Sequence, residues 1–127
     1  MCNERLNNKI KLLKQLVRNI KLVNLRKQSE ISPIKCRTIW NCLKVILFVK
    51  NEYLNKLLLF PCVTGDLLFD LNDHEHPDRF FIICLSKNDF TQCTRENGEN
   101  KFYNKEKFTI KKIKEQFNLF YNEGNNV

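Results

Sequence analysis

Residues 65–86 read GDLLFDLNDHEHPDRFFIICLS, and this stretch decides the fold class. Gly65-Asp66 marks a turn, because glycine reaches backbone angles other residues avoid and aspartate bonds to its own backbone. Leu67–Leu71 is a short apolar run, and Phe80–Leu85 is a stronger one. Apolar runs this short, bounded by turn signals, are predicted as strands. Between them lies an acidic, histidine-bearing loop, Asn72–Asp78. Downstream, Phe90–Thr94 and Lys101–Tyr103 flank Glu96-Asn-Gly-Glu99, which predicts a hairpin around an Asn-Gly turn. A last helix is expected from Thr109 to Tyr121, with Ile110, Ile113, Phe117 and Phe120 or Tyr121 facing inward and Gly124 ending it.

Upstream the pattern is helical. Leu6, Ile10, Leu13, Val17 and Ile20 recur at spacings of four and three, and Leu12, Leu16 and Val23 widen that stripe. This predicts one helix over residues 4–27. Gln28–Ser32 is a polar joint, and Ser32-Pro33 is a helix start signal, with Ser as cap and Pro at the first helical position. From there to Phe60 helix is expected, broken once. Lys44–Lys50 is rich in β-branched residues and reads either as helix or as a buried strand, with helix preferred. Asn51–Phe60 returns to helical spacing through Tyr53, Leu54, Leu57 and Leu58, and Pro61 ends it. The expected class is therefore α+β: N-terminal helices, a small antiparallel β-sheet and a C-terminal helix. The expected organisation is a basic amphipathic helix at 1–30, an α+β domain at 31–123 and a short tail at 124–127.

A chain of 127 residues suits one core, and its formal net charge of +8 suits an anionic partner. Residues 1–30 hold eight basic side chains and two acidic ones, so most of the excess sits there. Alanine is absent while Asn, Lys and Ile are abundant, a bias that dilutes the meaning of any single lysine. The six cysteines contain no Cys-x-x-Cys pair, which argues against a zinc ribbon and for free thiols. The N-terminus lacks an apolar signal core, so a small soluble intracellular protein, cytoplasmic or nuclear, is expected. Ile39–Val49 includes Asn41 and Lys44 and falls short of the ~20 residues a membrane span needs.

Four groups of residues invite chemistry. Lys11, Lys14, Arg18 and Lys21 step by three, four and three on the side of the first helix away from the apolar stripe. Such an arc fits phosphates, an anionic membrane surface or an acidic partner groove, and it also fits a solvated face over a packed stripe. Lys105, Lys107, Lys111, Lys112 and Lys114 cluster near the start of the last helix, where free N–H groups favour phosphate. His74 and His76 alternate within an acidic loop, and Cys84 or Cys93 would have to complete any tetrahedral metal site. No nucleophile elbow or phosphate-binding loop is present, and a Cys–His pair is the one nucleophilic arrangement the composition allows. No cofactor and no metal are expected.

Two family resemblances follow from these residues. Gly65-Asp66-Leu-Leu-Phe together with Asp78-Arg79-Phe-Phe-Ile-Ile-Cys-Leu-Ser86 resembles the opening hairpin of MazF-type toxin endoribonucleases, with Phe80 where that family has proline. It implies a ribonuclease with Arg79 as a catalytic residue. The order helix 51–60, strands near 67–71, 80–86 and 90–103, then helix 109–121 is similar to that of a double-stranded-RNA-binding domain. It implies that His76-Pro77 probes a groove and that Lys105–Lys114 meets phosphates. That family's Gly-x-Ser-Lys-Lys-x-Ala-Lys run is not present.

The resulting expectation is a small, basic, non-catalytic protein that binds nucleic acid, RNA foremost. Lys11, Lys14, Arg18 and Lys21 form the first binding face and Lys105, Lys107 and Lys111 the second. The alternative is a protein-interaction module, a homodimer included, or a membrane-surface module, using the apolar stripe of the first helix. A small endoribonuclease ranks third. Burial of the stripe would favour nucleic acid; its exposure would favour a protein or a membrane surface.

Overall fold

The computed structural model describes residues 2–25, 32–71, 78–98 and 100–125. Helix α1 spans Cys2–Ile20 and continues into a π-helical turn over Lys21–Leu25; helix α2 spans Cys36–Phe48. A short 3-10 turn at Asn51–Leu54 leads to five strands: β1 (Leu57–Pro61), β2 (Leu67–Leu71), β3 (Arg79–Leu85), β4 (Phe90–Asn97) and β5 (Asn100–Lys107). Helix α3, Ile110–Asn125, closes the chain. The strands pair with their sequence neighbours in the order β1-β2-β3-β4-β5, all antiparallel. The fold is α+β, with helices at both ends of the chain and the sheet between them.

Each strand alternates, and the register carries one set of side chains to the helices. Leu57 and Leu59, Leu67 and Phe69, Phe81, Ile83 and Leu85, and Cys93 are buried on this inner face. Leu12, Leu16, Ile34, Val45, Ile46, Leu54, Ile113, Phe117 and Phe120 meet them from the helical layer. The Phe81 ring stacks on Phe120 at 4.6 Å and meets the edge of Phe117 at 5.0 Å, which seats α3 on β3. Thr109 caps α3, its hydroxyl accepting the Lys112 N–H at 3.3 Å.

Helix α1 also seals the β1 edge of the sheet. The Leu59 N–H donates to Gln15 Oε1 at 2.8 Å, and the Leu59 carbonyl accepts from Asn19 Nδ2 at 3.1 Å. An edge strand whose outward backbone groups are taken by side chains no longer offers them to another chain.

Four expectations are corrected. Ser32-Pro33 does not start α2. The Ser32 N–H donates to the Val63 carbonyl at 3.0 Å, and buried Ile34 is clamped by Asn24 through bonds of 2.7 and 3.0 Å, so this segment is extended. Gly65 faces it closely, with a φ of +87° and room so small that a Cβ would come within 2.9 Å of the Pro33 carbonyl. Residues 57–60 are strand and not helix. Lys56 adopts a φ of 65°, which ends the helical run, and Leu57 and Leu59 then alternate into the core. Asn97 belongs to strand β4 and not to the turn, because it still pairs with Asn100. Finally, α3 runs through Gly124 instead of ending before it. With β1 in place of a helix, the element order that resembled a double-stranded-RNA-binding domain is lost.

Candidate nucleic-acid interface

Among the described residues the helices α1, α2 and α3 pack on the inner face, and none covers the outer face of the sheet. The register places Leu58, Asp70, Ile82, Thr94 and Tyr103 in one row across it, and Phe60, Leu68, Cys84, Gln92 and Lys105 in the next. Phe80, Glu96 and Lys101 form a shorter row on one side, and Phe90 pairs with Lys107 on the other. Bare antiparallel faces are ordinarily polar. This one instead exposes four aromatic rings, with Tyr103 64% accessible and Phe60, Phe80 and Phe90 each near two-fifths.

The cations of this face sit on β5. Lys101, Lys105 and Lys107 alternate with inward residues and flank Tyr103 along the strand, so ring and ammonium groups share one surface. Against them stand Glu96 and Asp70, with Asp66 beside Cys84 at the margin. Burial among Leu58 and Ile82 raises the pKa of the Asp70 carboxyl.

The residues expected from the sequence divide between two sides of the molecule. Lys14, Arg18 and Lys21 are exposed on α1, on the side turned from the core, while Lys11 is half-buried and its pKa is lowered by that burial. Lys105 and Lys107 belong to the outer sheet face. Lys111 is exposed on α3, which packs on the inner face, so it does not join them. Lys107 lies on a strand and shares no helical face with Lys111 and Lys114. Lys112 is paired with Glu106 at 3.0 Å.

The apolar stripe of α1 is split. Leu12, Leu16 and Val23 are buried, but Ile10 is 44% and Val17 51% exposed, with Leu13 half-buried beside them. Ile10, Leu13, Lys14 and Val17 line one shallow apolar groove; Lys14, Val17, Arg18, Lys21 and Leu22 line another.

The other candidate groups are drawn apart. Cys84 lies on the outer face and Cys93 on the inner one, so they cannot serve one metal site. Burial pushes both thiols up to about 12, Asp66 adding to the effect at Cys84 and Glu106 at Cys93, where Arg95 opposes it. His74 and His76 lie outside the described residues, and among the described ones no group of three His, Cys, Asp or Glu is placed to hold a metal. Arg79 points to the inner side: its Nε donates to Asn97 Oδ1 at 3.1 Å, and its guanidinium lies 4.5 Å from the Phe120 ring. It ties β3 to α3. Among the described residues no helix is long and apolar enough to cross a membrane.

Tyr103, Phe80, Phe60, Phe90 and Lys101 were not among the expected site residues. The signal that finds Tyr103 and Lys101 is the alternation Lys101, Tyr103, Lys105, Lys107, which carries the strand expected at 101–103 on to Lys107. Comparison of the chain with protein-family models, with curated proteins and with solved structures gives no match.

Proposed function

We propose that the protein binds single-stranded nucleic acid, RNA foremost, across the outer face of its sheet. One observation carries the reading: exposed Tyr103 and Phe90 stand beside Lys101, Lys105 and Lys107 on the outer face of the sheet, with Phe80 two strands away and Phe60 at the opposite edge. Unstacked bases lie on such rings, each worth about 1–3 kcal/mol, while ammonium groups track the phosphates. No catalytic step belongs to this reading. The arc Lys14, Arg18 and Lys21 on α1 supplies a second, sequence-independent attraction from the other side of the molecule.

The test is the affinity for a short oligouridine, read by fluorescence anisotropy. Wild type is expected to bind at about 50 mM salt and to weaken with a slope of roughly −0.7 per phosphate engaged. Tyr103→Ala is expected to weaken binding about 5- to 150-fold, one stacked base being lost. No binding by the wild type, or full binding by a variant with Lys101, Lys105 and Lys107 changed to Glu, overturns the reading. An oligodeoxythymidine run in parallel measures the sugar preference.

A second reading is favoured by the β1–β3 half of the face, where Leu58, Phe60, Leu68, Phe80 and Ile82 surround Asp70, with Asp66 at the margin beside Cys84. That half suits an apolar protein partner or a second copy of this chain. Wild type sedimenting as a dimer, with Phe60→Asp a monomer, supports this second reading.

A further inference from the structure

In the helical layer, where the end of α2, the 3-10 turn and α3 meet, lies a pocket of about 100 Å³. Its walls include the rings of Phe48, Tyr53 and Phe117, the amide of Asn118 and the ammonium groups of Lys50 and Lys114. Lys50 Nζ stands 5.5 Å from the Tyr53 ring centroid, and Lys114 Nζ 6.0 Å from that of Phe48. A third ammonium closes the group: Lys9 Nζ donates to the Leu47 and Val49 carbonyls at 2.7 and 2.8 Å, at the end of α2. Burial lowers the Lys9 pKa, and the nearby charge of Lys114 lowers it further. Among the described residues no carboxylate lines the pocket.

Like charges gathered around aromatic walls are unfavourable until an anion joins them. We infer that this pocket binds a small anion attached to a flat ring, an aryl phosphate or aryl carboxylate. The anion lies between Lys50 and Lys114, and the ring packs on Phe48 beside Tyr53, which is itself held by stacking on Tyr121 at 4.6 Å. The volume is well below the ~300–1,000 Å³ of drug-sized sites, so it admits one ring and one acidic group. The site is built by the end of α2, the 3-10 turn and α3, with Lys9 of α1 at its margin, and is independent of the proposed nucleic-acid face.

Titration of the ¹⁵N-labelled protein with phenyl phosphate and with benzoate tests this. Saturable amide shifts are expected at residues 48–53 and 114–118, with inorganic phosphate and phenol each binding at least tenfold more weakly. The double variant Lys50→Gln, Lys114→Gln is expected to lose at least tenfold in affinity for phenyl phosphate while its melting temperature does not fall and its oligouridine affinity stays unchanged. Absence of saturable shifts with both ring-bearing anions overturns the inference. So does equal binding by inorganic phosphate, or undiminished binding by a folded double variant.

Discussion

Asp70 shows how much one side chain reports about the outer face. It stands between Leu58 and Ile82, and burial there raises its pKa. A raised carboxyl pKa means that the folded state holds the proton more tightly than the unfolded chain. The associated stabilisation is complete at pH values below the unfolded pKa, about 3.9, and is lost as pH rises through the folded one. Asp70→Asn, which keeps the shape without the charge, is therefore expected to be more stable than wild type at pH 7. Its advantage should shrink as pH falls to about 4. Urea midpoints of the two proteins at both pH values measure this, and an advantage that grows on acidification contradicts it. Nothing in the local sequence marks Asp70, because its surroundings come from β1 and β3. Tyr103 is the opposite case: its neighbours Lys101 and Lys105 lie on its own strand, and period-two reading of β5 finds it.

At the scale of the element, α1 explains why a correct helix carried an incorrect face. Its buried side runs through Leu12, Leu16, Asn19 and Val23, with Gln15 at the margin. Two of these residues are amides, spent on the backbone of Leu59. Hydrophobicity alone cannot assign an amide to the inside, so the apparent stripe is drawn toward Ile10 and Val17, which are exposed. Leu16→Ala is expected to cost about 2–5 kcal/mol, and Val17→Ala within about 0.5 kcal/mol of nothing. Chemical denaturation of the two variants separates the faces; equal losses would contradict the packing described. The helix-to-strand error at residues 57–60 has a similar origin. A four-residue apolar run fits either period, and only the left-handed turn at Lys56 and the pairing with β2 decide it. The strands β2, β3 and β4, by contrast, were legible because turn residues bracket each of them.

For the whole molecule, the decisive fact is that helices from both ends of the chain cover the same face of the sheet. The two basic groups thereby come to lie on opposite sides: Lys14, Arg18 and Lys21 outward from the helical layer, Lys101, Lys105 and Lys107 on the bare sheet. Net charge and its crowding into the first thirty residues are plain in the sequence, but charge density alone does not say which cations lie beside aromatic rings. Among the described residues, the helical cations on α1 have Ile10, Leu13 and Val17 beside them and no aromatic ring lines either groove. The sheet cations have aromatic rings. Which side meets the ligand is thus the central claim, and an amide-shift map of the ¹⁵N-labelled protein titrated with oligouridine at low salt tests it most directly. The account predicts that the largest shifts fall on β3, β4 and β5, led by residues 80–82, 92–96 and 101–107. Shifts confined to residues 10–22 of α1, or none at all, would contradict it.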